Sequence, residues 1–182
     1  MLDEKNPWTL LSSRQIYENP WIKVREDKVL TPAATEGIYS VVEFQNSAVG
    51  IVPVDEEGNT WLVGQWRYPL NKYSWEIIEG GCPKGEASEV TAQRELQEEA
   101  GITAKHLKPF LQMSLSNSST DDQVIVYLAT GLTFGDAAPE ETEDLKLVKM
   151  PLQQAYEYAL SGRIHDAISV AALFKLKLEG VF

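Results

Sequence analysis

No segment constrains this chain more than Arg94-Glu95-Leu96-Gln97-Glu98-Glu99. Residues 86–100 carry a helical pattern, with Val90, Ala92, Leu96 and Ala100 supplying an apolar side and Gly101 a natural stop. On such a helix Glu95 and Glu99 are i, i+4 neighbours and Glu98 lies three residues from Glu95, so three carboxylates share one face. Left to themselves they repel one another by roughly 0.2–0.5 kcal/mol per pair. Lysines at i+4 would make this an ordinary solvated face, but those positions hold Glu99, Ile102 and Thr103. A hard divalent cation such as Mg²⁺ converts the repulsion into ligation, because it prefers oxygen donors. On the glutamates alone two readings stand, a solvated helix face or a helix that buries one side and offers the other to a cation.

The rest of the chain supplies a sheet for that helix to pack on. Residues 21–30 and 38–44 read as strands around a turn-rich stretch, Thr31 to Gly37, which suggests a hairpin-like N-terminal unit. Ala48–Val54 reads as a buried strand and Thr60–Arg67 as its return, joined by the turn residues Asp55-Glu56-Glu57-Gly58-Asn59. Residues 80–85 read as a loop. Further strands are expected at 107–115, 123–129 and 145–150, with an acidic loop at 134–144. Pro151 fits the start of a helix reaching about Leu160. A last helix from about Asp166 to Leu178 would gather Ile168, Ala171, Ala172, Phe174 and Leu178 on one side. Strand and helix do not alternate regularly, which excludes a doubly wound fold or a TIM barrel and favours a mixed sheet with helices on its faces.

Composition narrows the function. Hydrophobic residues make up 43% of the 182, enough for a full core and too many for a disordered chain. Sixteen Lys and Arg against 27 Asp and Glu leave a formal charge of −11, which makes the chain a poor binder of nucleic acid; a phosphorylated ligand would need locally placed cations. The single Cys82 rules out an intramolecular disulfide framework and a cysteine metal cluster, and His106 and His165 lie far apart in sequence. The first residues lack a signal-peptide pattern and no 18-residue apolar stretch occurs, so a soluble, cytoplasmic protein without a membrane partner is expected.

Upstream spacing extends the motif. Gly80 is followed by five residues and Glu86, then by seven residues and Arg94-Glu95, apolar Leu96, Gln97, Glu98-Glu99, Ala100, Gly101 and apolar Ile102. This matches every specified position of the Nudix box, and with this composition a chance match has a probability on the order of 10⁻⁷. The chain resembles a Nudix hydrolase. The resemblance implies an α+β fold of the Nudix type, an α/β/α sandwich around a mixed sheet, with a small N-terminal antiparallel β unit added. It also implies Mg²⁺, for which Mn²⁺ can substitute, held by the side chains of Glu95, Glu98 and Glu99 and by the backbone carbonyl of Glu79. Arg94 and Glu86 would then be structural, pairing to fix the loop on the helix.

The likeness reaches beyond the box. Trp61 to Arg67, followed by Trp75-Glu76-Ile77-Ile78-Glu79-Gly80, is similar to the branch that cleaves ADP-ribose and nucleotide sugars. The resemblance implies that Arg67 reaches the substrate phosphates and that Glu76 lies in the pocket. It assigns the general base to the acidic loop, to Glu141 first and Glu143 second. The run Gly162 to Ser169 resembles the start of the branch's last helix. Two departures stand where base and terminal ribose would be read. The loop Ser116 to Asp122 lacks the branch's Ser-Pro-Gly, and Ile38-Tyr39-Ser40 stands where arginines are usual. Tyr39 is therefore a candidate for stacking the base, and Asp122 a candidate substrate contact.

The expected activity is metal-dependent hydrolysis of a nucleoside diphosphate sugar, ADP-ribose or GDP-mannose, to a nucleoside monophosphate and a sugar phosphate. The rivals are another Nudix substrate, such as a dinucleoside polyphosphate or a damaged nucleoside triphosphate, and a non-catalytic nucleotide-binding module, which would tend to lose the box carboxylates kept here. The expected domains are 1–45, a β unit for dimerisation and base recognition, and 46–182, the hydrolase domain. The resemblance implies a homodimer with exchanged N-terminal strands.

Overall fold

The structure is a computed structural model that describes residues 5–138 and 144–182. The chain divides into two compact units, one formed by residues 1–47 with 114–123 and the other by 48–113 with 124–182.

The first unit is a three-stranded antiparallel sheet ordered β1 (Thr9–Glu18), β2 (Ile22–Leu30), β3 (Glu36–Phe44). Where the sequence suggested a hairpin, the structure adds β1. Every residue of that strand is exposed, so it carries none of the inward–outward alternation by which a half-buried strand is recognised. Residues 114–123 join this unit, whereas the sequence reading put them in the second domain. The reason is hydrogen bonding: the Val42 amide donates to the Ser119 carbonyl (2.9 Å), the Phe44 amide to the Asp121 carboxylate (2.8 Å) and the Tyr39 hydroxyl to the Ser118 carbonyl (2.6 Å).

The second unit holds two sheets, one ordered β7 (Ile78–Pro83), β4 (Asn46–Pro53), β9 (Gln123–Phe134), β8 (Ile102–Ser114) and the other β10 (Lys146–Pro151), β5 (Asn59–Arg67), β6 (Lys72–Glu76). β4 and β9 run parallel, while β5 is antiparallel to both of its neighbours, so the architecture is mixed as expected. Helices cover two faces. α1 (Ser88–Ala100) packs on β7 and β5, and its Ala92, Leu96 and Ala100 enter a core with Val49, Ile51, Trp61, Val63, Ile78 and Tyr127. α2 (Leu152–Leu160) and α3 (Ala167–Leu178) pack on each other. Between Val49 and Ile51, Gly50 faces the opposite way. A Cβ there would lie 3.2 Å from Ile168 of α3 and 3.1 Å from Ile77, so the helix sits directly on the strand backbone. Period-two alternation along β4 thus sends one set of residues to α1 and the other to α3. Among the described residues no helix is long and apolar enough to cross a membrane.

Several local expectations need correction. The stretch expected as a loop at 80–85 is strand as far as Pro83, because glycines paired in a sheet carry no sequence pattern. Val90, expected on the apolar side of α1, is exposed, and the buried face instead takes Thr91 and Glu99. In α3 the buried set is Ile168, Ser169, Ala172, Leu173 and Leu176, while Leu178 is exposed.

Candidate active site

The candidate residues of the second unit come from one continuous path: β5, the β6–β7 connection, α1 and the start of α3. α1 begins without a side-chain cap after Ala87 and ends at Gly101, whose φ of +65° closes it in the left-handed conformation. Glu95, Glu98 and Glu99 lie on this helix as the i, i+3, i+4 spacing requires; Glu99 is buried and the other two are half-buried. Gly80 of β7 lies directly against Glu95. A Cβ at Gly80 would fall on the Glu95 carboxyl, so only glycine lets the Glu79–Gly80 backbone approach that carboxylate.

Arg94 is the cation these carboxylates meet. Its Nη1 lies 2.9 Å from Glu95 and 2.8 Å from Glu98, and its Nη2 donates weakly to the Gly81 carbonyl at 3.4 Å. Arg94 also makes a long ion pair with Glu86 (4.0 Å), which in addition accepts from the Thr91 hydroxyl. Arg94 thus ties α1 to both Glu86 and Gly81.

Side by side, an all-oxygen donor set and a glycine cradle suit a hard divalent cation. Among the described residues no three acidic, imidazole or thiol side chains stand close enough together to hold an ion as they are. The residues fit such a cation by their chemistry and by the Gly80 contact, and Arg94 is the positive group it would compete with.

Arg67, at the end of β5, donates Nε to both carboxylate oxygens of Glu76 (3.0 and 3.1 Å) and pairs with it again through Nη2. Glu76 is 2% exposed, whereas the Arg67 side chain is 39% exposed, so the buried carboxylate orients a guanidinium that still faces solvent. A cavity of about 300 Å³ opens beside this pair, lined by Pro69, Leu70, Ser74, His165 and Asp166. Glu79 follows. Burial pushes its carboxyl well above the usual range, and the neighbouring Asp166 carboxyl pushes it further.

The other end of α1 anchors the acidic loop. The Ala138 amide donates to the Glu98 carbonyl (2.9 Å), the Gly135 amide to the Gly101 carbonyl (2.7 Å) and the Gln97 side chain to the Asp136 carbonyl (3.1 Å). Glu141 and Glu143 themselves lie outside the described residues.

Tyr39 and Asp122 belong to the first unit. Tyr39 packs edge-on against Trp8, with ring centroids 5.3 Å apart, beside a cavity of about 370 Å³ that Arg25, Asp27 and Val41 also line. Asp122 accepts from the Leu115 amide through its carbonyl (2.9 Å), and burial, then adjacent Asp121, raises its carboxyl. Sequence reasoning gave no role to Asp166 and Ser169, which reach Glu79. Both lie in the run Gly162 to Ser169 already likened to a helix start, and within it Asp-x-x-Ser is a capping pattern that α3 uses: Asp166 accepts from the Ser169 amide at 2.7 Å.

The chain is similar to known proteins in family and in fold. Residues 45–172 match the NUDIX domain, and residues 8–42 match the nucleoside diphosphate sugar hydrolase N-terminal domain. The chain is 30% identical over 171 residues to the methanol dehydrogenase activator of Bacillus methanolicus, covering 93% of this chain and 92% of that one. It is 31% identical over 180 residues to the ADP-ribose pyrophosphatase of Bacillus subtilis, covering 98% and 95%. Its fold is shared with a crystal structure of an ADP compounds hydrolase at a TM-score of 0.86 and 22% identity, over 98% of both chains. The glycine-to-helix motif on β7 and α1 thus sits inside a domain whose match spans most of the chain, and the chain belongs to the Nudix hydrolase family.

Proposed function

We propose that the protein hydrolyses the pyrophosphate of nucleoside diphosphate sugars, ADP-ribose foremost and GDP-mannose next, to a nucleoside monophosphate and a sugar phosphate. The observation that carries the substrate class is the presence in one chain of the Nudix domain and the nucleoside diphosphate sugar hydrolase N-terminal domain. A near full-length relative named ADP-ribose pyrophosphatase supports the order of substrates.

Nudix hydrolases generally use divalent cations. In this proposal Mg²⁺, with Mn²⁺ able to substitute, is held by Glu95, Glu98, Glu99 and the Glu79 carbonyl. When bound it neutralises phosphate charge and activates water. Arg67, oriented by Glu76, binds the phosphate oxygens in a fork geometry. Tyr39 and Asp122 read base or sugar. Glu141, with Glu143 as alternative, accepts the proton of the attacking water; both follow closely on Ala138, which is tethered to the carboxylate helix. The enzyme acts in the cytoplasm as a homodimer with exchanged N-terminal strands, a state supported by the full exposure of β1.

A panel of nucleotide sugars, dinucleotides and nucleoside triphosphates, assayed with Mg²⁺ and scored by product identity, tests this reading. AMP and ribose 5-phosphate from ADP-ribose are expected, with no turnover in EDTA and rescue by Mg²⁺ or Mn²⁺. Full activity in a metal-free preparation, or preference for a triphosphate, would remove it. The similarity to a methanol dehydrogenase activator favours a second reading, in which the chain stimulates a dehydrogenase. Adding the protein to an alcohol dehydrogenase assay separates the two, since only that reading expects a change of rate.

A further inference from the structure

We propose that Ser169 is a positioning residue for the metal site: its hydroxyl pins Ile77 and Glu79 to the first turn of α3 and so holds the Glu79–Gly80 peptide against the Glu95 carboxylate. The inference rests on the reading of that peptide and carboxylate as part of the metal site.

Ser169 is completely buried. Its amide donates to Asp166, which caps the helix. Its hydroxyl accepts from the Ile77 amide at 2.9 Å and donates to Glu79 Oε1 at 3.2 Å. Both hydrogen-bonding directions of one hydroxyl are therefore spent on two residues of the same short connection. Ile77 stands between the end of β6 and the start of β7, so its amide belongs to neither strand, and Ser169 supplies the acceptor a buried amide requires. Ile77 and Ile78 are fully buried, which fixes the connection from the apolar side while Ser169 fixes it from the polar side.

The connection leads directly into Gly80, where contact with the Glu95 carboxyl leaves no room even for a Cβ. A shift of Ile77–Glu79 is transmitted to that contact, and with it to the Glu79 carbonyl. Packing by itself does not select a hydroxyl here, since alanine fills nearly the same space. Groups that orient metal ligands without touching the metal commonly change affinity by about 10–100-fold when removed.

Mn²⁺ titration followed by electron paramagnetic resonance, which counts free Mn²⁺ without turnover, tests this on wild type, Ser169→Ala and Leu173→Ala. Leu173 is a fully buried residue of the same helix and serves as the packing control. Ser169→Ala is expected to weaken Mn²⁺ binding by about 10-fold or more and to raise the Mg²⁺ concentration for half-maximal hydrolysis in parallel. Leu173→Ala is expected to lower Tm while leaving Mn²⁺ binding at the wild-type value. If Ser169→Ala does not fold, Ser169→Cys carries the same test, because a thiol, though somewhat larger, leaves no empty space and weakens both hydrogen bonds. Unchanged Mn²⁺ binding in the serine variant, or an equal loss in Leu173→Ala, would overturn the positioning role. A wild-type protein that binds no Mn²⁺ would instead overturn the metal reading, and the proposal with it.

Discussion

The three helix glutamates stand in different surroundings, and this separates their roles. Glu95 and Glu98 share the Arg94 guanidinium, Glu95 also presses on Gly80, and Glu99 is buried on the inner edge of the helix. Glu99→Gln keeps the volume and removes the charge, so kcat should fall by orders of magnitude while circular dichroism shows the fold retained. Glu141→Gln should lower kcat by about 10²–10⁴-fold, the usual worth of a general base, with Mn²⁺ binding unchanged. A loss in Glu143→Gln instead would move the base there, and neutrality of both would make the acidic loop a solvated face. Arg67→Ala should raise KM, and it should also cost stability. Its partner Glu76 is almost fully buried and would lose its donors, at roughly 1–3 kcal/mol. Pairing Arg67→Ala with Glu76→Gln should recover Tm without recovering KM, and recovery of both would take Arg67 out of phosphate binding.

Elements were legible wherever a periodic apolar face coincided with a clear stop. α1 was legible because carboxylates, apolar positions and Gly101 share one register; β4 and β5 were legible because turn residues separate two apolar runs. The missed elements lack that signal: β1 has no buried face, and β7 contains two adjacent glycines. The β4–β5 turn also carries a pH-dependent contribution. Burial raises the Asp55 carboxyl, but hydrogen bonds from Lys149 (2.9 Å) and from the amide and side chain of Asn59 outweigh it and hold the pKa at about 2. A group depressed in the folded state stabilises above its unfolded pKa, near 3.9, and loses that contribution as pH falls towards 2. Asp55→Asn keeps the turn geometry and drops the ion pair. Its Tm should therefore lie below wild type at pH 7, with the gap closing by pH 2 in thermal melts. A gap independent of pH would mean that the charge contributes nothing.

At the scale of the whole molecule, β1 is an edge strand exposed along its full length, with Leu10, Leu11, Ile16 and Tyr17 each at least half exposed. Natural sheets rarely leave such an edge uncovered, and three strands are marginal without something to pack on. The proposed dimer predicts about twice the 20.4 kDa chain mass by light scattering, and monomer mass for the double variant Leu11→Lys/Ile16→Lys. Wild type at monomer mass would end the dimer without touching the chemistry. The sequence by itself determined the family, the reaction class and the carboxylate helix, because spacing along a helix dictates which side chains share a face before any packing is known. It also determined most of the strand order along the chain. Only the tertiary structure decided that Gly80 is required by contact with Glu95 and that residues 114–123 join the N-terminal unit. It alone brought Ser169 and Asp166, some ninety residues away in the chain, to Glu79. These are contacts between segments distant in sequence, set by how sheet and helices pack, and a local pattern carries no record of the partner it will meet.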